Sequence, residues 1–291
     1  MKEMLFIIDA SAWIYRSYYA AINDPKIDSK GRNISALYGF AYKMITLLKY
    51  EKPDYIVVAK DLSSPTFRHD MYVDYKANRK KQPVELTNQF KFIDKFLQSS
   101  GIETVSHEGF EADDVMASLA LMAENSGIKS NIVTRDKDMM QVVNDNINIY
   151  DDSVKDCLAK IIDSNEVREK FGVEPNQIVD LLALMGDSSD NIPGVNKVGK
   201  KTAAKLLNDY GTLEYLYDKL YEIKSKTLME NLRLDKEKAY LSKRLATLRT
   251  DVPIGIKIKS LKTNLNKIGM TEFIEEWELN NLLESFEEEI C

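Results

Sequence analysis

The chain is predicted to fold as an α/β domain around a mostly parallel sheet, continued by a helical module. Three observations predict this. Short apolar runs alternate with helical patterns over the first half, aspartates recur where those runs end, and the strand pattern stops near residue 160. Strand–helix alternation implies a parallel sheet covered on both faces. In such sheets ligands bind outside the carboxyl ends of the strands.

Met4–Ile8, Tyr55–Ala59, Ile102–Val105, Asn131–Thr134 and Ile147–Tyr150 read as strands, each apolar and bounded by polar or turn residues. Between them Leu37, Phe40, Met44 and Leu47 share one helix face, as do Leu86, Phe90, Ile93 and Leu97, and again Val115, Leu119 and Met122. The stretch Ser63–Val84 is polar, basic and weakly periodic, and longer than most connections in a compact domain, which marks it as functional or mobile. Further on, Pro175 suits a first helical turn, Ile178, Leu181, Leu182 and Met185 form one face, and Gly186 ends it. Asn191–Gly199 reads as a glycine-punctuated hairpin opening into a helix at Lys200–Asn208. Helical stretches run on to about Thr250, and a tail from Asp251 ends in the solvated-looking Glu287–Cys291. There is no internal repeat and no low-complexity linker.

The length of 291 residues suits one large domain or two small ones. Two distant cysteines, Cys157 and Cys291, allow neither a disulfide framework nor a zinc spacing, so a reducing cytoplasm is expected. The apolar start is too short for a signal peptide or membrane span, and Asp9 interrupts it. With only His69 and His107 present, neither a histidine-centred triad nor a histidine-rich metal site is expected. The net charge of −6 argues against a polyanionic partner, but the basic residues are concentrated. Lys76, Arg79, Lys80 and Lys81 form one run, and Lys197, Lys200, Lys201 and Lys205 another. Local charge therefore leans towards a polyanion.

Nine carboxylates fall at the tips of these elements: Asp9, Asp61, Glu111, Asp113, Asp114, Asp136, Asp138, Asp187 and Asp190. Capping or a turn explains each one singly. Jointly they would repel one another on one rim unless cations bind between them. All are hard oxygen donors, which favours Mg²⁺ or Mn²⁺, and two such ions roughly 4 Å apart suit phosphoryl chemistry. A haloacid-dehalogenase reading fits poorly, because Ser11 stands where that chemistry wants a second aspartate. The hairpin at 192–199 with Lys200, Lys201 and Thr202 suits backbone binding of a phosphate, although Lys201 breaks the P-loop spacing. Lys76 and Arg79 would line a phosphate path, with Tyr72 and Tyr75 available to stack on bases.

Taken in order, Ile8-Asp9-Ala-Ser, Asp61 followed by Thr66-Phe-Arg68, Tyr75-Lys76-x-x-Arg79, Glu111-Ala-Asp-Asp114, Asp136-Lys-Asp138-Met139 and Gly186-Asp-Ser-Ser-Asp-Asn-Ile-Pro-Gly194 resemble the bacterial 5′-nuclease family of 5′–3′ exonucleases and flap endonucleases. The likeness covers residues 4–255 and is closest to the nuclease domain that begins DNA polymerase I, here free-standing. It implies a PIN-like nuclease domain over 1–170 with a helical arch at about 63–84. A helix-hairpin-helix type module that grips duplex DNA would follow at 171–255, then a helical, acidic tail at 256–291.

The resemblance further implies that Asp9, Asp61, Glu111, Asp113 and Asp114 hold or position one metal, and Asp136, Asp138, Asp187 and Asp190 the second. It gives catalytic weight to Lys76, Arg79, Asp9, Asp61, Asp114 and Asp187. Arg16, Arg68, Tyr75, Lys76 and Arg79, with Gly194, Lys197, Gly199, Lys200 and Lys201 at the hairpin, would contact DNA. In the family the hairpin carbonyls hold a monovalent cation such as K⁺. Three departures stand out: Ala10 and Arg135 replace common glycines beside the aspartates, and Lys197 a glycine in the hairpin.

The expected activity is two-metal hydrolysis of DNA, or of an RNA primer on DNA, at a 5′ flap or 5′ end beside a duplex junction, leaving 5′-phosphate and 3′-hydroxyl ends. That places the chain in replication and repair, as a cytoplasmic monomer without a membrane, with a DNA polymerase or sliding clamp as candidate partners. The rival readings are a non-catalytic junction-binding protein and a PIN-like ribonuclease.

Overall fold

The computed structural model describes residues 3–152 and 159–283; Cys157, Cys291 and the acidic end at 287–291 lie outside them. Six strands form one sheet: β1 (Met4–Asp9), β2 (Tyr55–Ala59), β3 (Thr104–Val105), β4 (Lys129–Val133), β5 (Ile147–Asp151) and β6 (Lys160–Ile162). Their spatial order is β3-β2-β1-β4-β5-β6, parallel throughout except for β6, which runs antiparallel to β5. The strand pattern therefore does not end at residue 160, contrary to expectation. A three-residue edge strand is too short to show a period of two.

Twelve helices accompany the sheet among the described residues: α1 (Ala10–Ala20), α2 (Ser35–Glu51), α3 (Phe67–Met71), α4 (Val84–Ser100), α5 (Ala112–Asn125), α6 (Ser164–Phe171), α7 (Ile178–Met185), α8 (Lys200–Tyr210), α9 (Leu213–Asp218), α10 (Lys226–Leu234), α11 (Lys236–Ala246) and α12 (Lys267–Glu276). Periodicity misses α1 and α6. The first follows β1 without a loop, because Asp9 ends the strand and caps the helix in one step, accepting the Ala12 amide at 2.9 Å.

Alternation along β1 sends Leu5 and Ile7 to one face, Phe6 and Ile8 to the other, and two cores result. On the first face pack Val115, Leu119, Leu181, Leu184 and Leu207, so the sheet, α5 and the helical module share one apolar core. On the second pack Leu37, Phe40, Met44, Ile93 and Phe96. The chain after Asp251 returns to this half: Phe273 of α12 packs edge-on against Phe96, and Trp277 lies 4.5 Å from Phe92 between ring centroids. Among the described residues no helix is long and apolar enough to cross a membrane.

The segment expected to form a helical arch holds one short helix, α3, and otherwise turns and coil. It lies down on the 187–191 loop. The Lys76 backbone amide donates to the Asp190 carbonyl at 3.0 Å, Asn78 Nδ2 to the Ser188 carbonyl at 2.6 Å, and Asn191 Nδ2 to the Asp74 carbonyl at 2.7 Å.

Where α7 ends, two glycines meet. Gly186 has φ +72° and Gly194 φ +64°, and a Cβ on Gly194 would stand 2.3 Å from the Gly186 nitrogen. Asp187 and Ile192 pair across this turn in an antiparallel bridge. Lys197 does occupy the left-handed region, at φ +60°, where glycine would be free of strain. We predict that Gly194→Ala destabilises the protein by about 2–4 kcal/mol, from backbone strain plus overpacking. Lys197→Gly should leave stability equal or higher by up to about 1 kcal/mol, both read by urea unfolding.

Candidate active site

The register of the sheet gathers the acids. Asp9 pairs with Ala59 on β2, and Ile8 with Val133 on β4, so the residues just past these strand ends become neighbours. Thr134, one residue beyond β4, donates its hydroxyl to Asp9 Oδ2 at 2.9 Å. Asp61, two residues beyond β2, accepts the Ser11 hydroxyl and the Ala112 amide, both at 2.9 Å. The α5 N-terminus thereby points at the same rim. Asp9, Asp61, Asp113 and Asp136 line one cavity of about 1050 Å³. Its other walls carry Arg16, Lys76, Arg79, Lys80 and Arg135.

Charge in this cavity is unbalanced. Burial pushes the Asp9 carboxyl up to about 6, against the opposing pull of the Ala12 amide and Thr134 hydroxyl, with Asp61 and Asp136 adding repulsion. Asp113 is raised well above the carboxylate range, by desolvation first and then by Asp136 and Asp9; it has no hydrogen-bond partner among the described residues. Asp136 opens into the cavity yet is raised too, through desolvation by the protein around it and repulsion from Asp190.

Asp138, Asp187 and Asp190 stand behind Asp136, outside the lining of that cavity. Asp187 Oδ1 accepts the Ser189 amide at 2.9 Å and hydroxyl at 2.6 Å, while Lys137 Nζ lies 2.8 Å from Oδ2. Asp190 is held by Arg79 Nη2 at 2.6 Å and the Tyr75 hydroxyl at 3.2 Å. Asp138 is buried, and its Oδ1 has no partner.

Two expected ligands are engaged elsewhere. Asp114 is fully buried with both oxygens on Arg68, at 2.7 and 2.8 Å, and it also accepts the Glu111 and Arg249 amides. Glu111 accepts Lys76 Nζ at 2.7 Å, the Tyr75 hydroxyl at 3.0 Å and Arg68 at 3.2 Å. In this arrangement Asp114 and Glu111 position the rim and the arch, and the cavity is lined by their neighbour Asp113.

Arg68 and Tyr75 need correction as DNA contacts. Arg68 is 1% exposed and Tyr75 3%, so neither reaches a phosphate or a base. Tyr15 and Tyr19, one turn apart on α1, are accessible, their rings stacked at 6.4 Å beside Arg16 on the cavity wall. Their i, i+4 spacing on a helix would have revealed them, had α1 been recognised. Arg16 lines the same wall while paired to Asp152 at 2.7 Å. Lys137, unremarked in the sequence, was signalled by standing between two of the acids.

At the hairpin the Gly194 amide is spent on the Ser242 hydroxyl (3.1 Å) and the Asn196 amide on Asp235 (2.9 Å), so these two cannot hold a phosphate. The α8 N-terminus is better suited, since its cap residue Gly199 has no side chain to satisfy the first turn. Lys197 and Lys201 are exposed there, whereas Lys200 bonds the Lys170 carbonyl.

Among the described residues, no three acidic side chains stand close enough to form a ready metal cage. The donor chemistry nonetheless fits a hard divalent cation. All ligating atoms are carboxylate oxygens, four of the acids line one cavity, burial followed by repulsion from Asp136 and Asp9 raises Asp113, and a buried Asp138 oxygen lacks a partner.

Residues 4–172 match the family model "5′-3′ exonuclease, N-terminal resolvase-like domain", and 173–268 match "5′-3′ exonuclease, C-terminal SAM fold". The chain is 39% identical over 264 residues to a 5′-3′ exonuclease of Buchnera aphidicola, covering 88% of this chain and 90% of that one. It is 38% identical over 264 residues to DNA polymerase I of Bacillus caldotenax, covering 90% of this chain but 30% of the relative. The chain thus spans about a third of the polymerases it matches. Among solved structures, a bacteriophage T5 flap endonuclease in complex with DNA and metal ions superposes with a TM-score of 0.70 at 20% identity, over 95% of this chain and 100% of that one.

Two predictions follow from this geometry. The Asp9 carboxyl is raised above its unfolded value, so its ionisation weakens the metal-free fold as pH rises from about 4 through 6. Asp9→Asn, which keeps the helix cap, should therefore gain stability over the parent across that window and plateau above it, by on the order of 1–3 kcal/mol in EDTA. Arg68→Met should cost about 3–5 kcal/mol by leaving Asp114 buried and unpaired. Adding Asp114→Leu should recover part of that loss, and urea unfolding of the single and double variants checks it.

Proposed function

The chain belongs to the 5′-3′ exonuclease family, and from that membership we propose a metal-dependent, structure-selective nuclease that hydrolyses phosphodiesters where a 5′ strand meets duplex DNA. One observation carries the reading: four carboxylates and five basic side chains line a single cavity at the carboxyl edge of the sheet. A cavity walled in that way suits a bound cation on one side and a polyanion on the other.

Asp9, Asp61, Asp113 and Asp136 would hold one divalent ion, and Asp138, Asp187 and Asp190, with Asp136 between the groups, a second. When bound, such ions supply Lewis acidity and neutralise charge on the phosphate oxygens. The chain's own residues do the rest. Lys76 and Arg79 carry their charge on the cavity wall, where a phosphodiester competes with Glu111 and Asp190 for them. Tyr15 and Tyr19 offer a stacking face to the base of the strand being cut, with Arg16 alongside for its backbone. Arg135 adds a positive charge that a glycine at this position would lack.

Duplex DNA would sit on the α8 N-terminus and on Lys197 and Lys201, with hairpin carbonyls taking K⁺. In this reading Mg²⁺ or Mn²⁺ serves as cofactor, and the products carry 5′-phosphate and 3′-hydroxyl ends. Substrates are 5′ flaps of DNA or of primer RNA. A cytoplasmic monomer working with a DNA polymerase or sliding clamp in replication and repair completes the proposal.

The test is cleavage of end-labelled 5′-flap DNA against matched blunt duplex and single strand, with Mg²⁺ and with EDTA. Cutting at the junction only with metal is the expected result. Asp113→Asn and Lys76→Ala should each slow turnover by roughly 10²-fold or more, while flap binding survives. Tight binding without product under any divalent metal would instead identify a junction-binding protein, and near-parental rates for both variants would remove the assigned site.

A further inference from the structure

Behind the cavity, one cation sits among acids without a role in the reading above. Lys137 lies between Asp136 and Asp138 in the chain, and its Nζ stands 2.8 Å from Asp187 Oδ2. Asp187 Oδ1 is already taken by the amide and hydroxyl of Ser189, so Lys137 covers the remaining oxygen. Asp138 is buried beside them with one oxygen unpartnered, and Asp190 is held from the arch by Arg79, Tyr75 and, at 3.5 Å, Lys76. The pair is asymmetric: the Asp187 side chain is 5% exposed, that of Lys137 31%.

We propose that Lys137 is the resident counter-ion of the second acidic group, and that a divalent cation enters this group by displacing the Lys137 ammonium from Asp187. The inference rests on the two-cation reading given above. It is Lys137 that can make such an exchange. Arg68 is locked by five hydrogen bonds in the interior, whereas Lys137 is a point charge on a flexible stem with a path to solvent. Displacement trades one positive charge for two within reach of Asp138, Asp187 and Asp190. Lys137 would then be a positioning residue, keeping the group ordered while empty and setting the concentration of cation needed to fill it.

Mn²⁺ binding to the full chain, followed by calorimetry without DNA, tests the exchange. Mn²⁺ should bind in two classes, and Lys137→Gln should tighten the one at the second acidic group at least about tenfold over the parent, because the competing ion pair is gone. The metal-free variant should also melt at a lower temperature. Asp187→Asn should lose that class. If Asp187→Asn loses it while Lys137→Gln binds no more tightly, the two-cation reading stands and the counter-ion role fails. If Asp187→Asn keeps it, Asp187 is not a ligand and both fall. The unmodified protein gives a check that no folding defect can blur. Labelling of Lys137 by an amine-reactive reagent, followed by mass spectrometry, should rise several-fold when Mn²⁺ is added, and labelling indifferent to Mn²⁺ would overturn the exchange.

Discussion

Arg68 against Asp114 is the interaction on which the rest of this architecture depends. Both groups are removed from water, at 1% and 0% exposure, so each is costly unless the other is present. The guanidinium spends its donors in three directions. Two bonds go to Asp114 at the head of α5, one to Glu111 just before it, and two to the Leu245 and Thr247 carbonyls at the end of α11. Asp114 returns the tie by accepting the Arg249 amide. A single residue at the foot of the arch therefore fastens the nuclease half to the helical half. A lysine could not do this, because its three donors do not form a planar fork.

With α5 pinned in this way, its N-terminus has one place to point, and the sheet register decides what it meets. β1 lies between β2 and β4, so the residues past their ends converge without any long-range design in the loops. The cost of that convergence is electrostatic. The structure meets it with cations supplied from separate elements: Lys76 and Arg79 from the arch, Lys137 from the turn after β4, Arg68 from α3. Lys76, Arg79 and Lys137 sit on Glu111, Asp190 and Asp187, acids at or behind the rim, while Arg68 seals Asp114 in the core. The free protein is thus held by ion pairs that its ligands must compete with, and the mobility of each cation sets how hard that competition is.

How much of this could be read beforehand follows from the range of the interactions. β1, β2, β5 and the helices α2, α4 and α5 are written in local periodicity, and so is the chemistry of the rim, since acids at strand ends are visible in one dimension. The split of labour among those acids was not visible. Asp113 and Asp114 are adjacent letters, yet one faces the cavity and the other is sealed in the core, because a helix turns about 100° per residue. The partner that seals Asp114, Arg68, is 46 positions away. Arg68 and Tyr75 looked like surface contacts for the same reason: a charged or phenolic side chain carries no mark of a buried partner. The edge strand β6 was lost to its brevity, and α1 to the absence of any loop before it.

The departures from the family pattern acquire meaning once charge is followed through the structure. Arg135 brings a cation to the cavity mouth, 3.7 Å from Asp151 on β5 and on the same wall as Arg16. Lys197 accepts left-handed backbone strain on an exposed turn beside the α8 N-terminus, where a glycine would avoid it. Both are positive where the resemblance to the 5′-nuclease family leads to an expectation of glycine, and both stand on surfaces proposed to meet DNA. For a chain whose net charge is −6, such placements concentrate positive potential where a polyanion would approach. Overall charge is then a poor guide to the partner, because five basic side chains line the one cavity at the sheet edge whatever the sum over the chain.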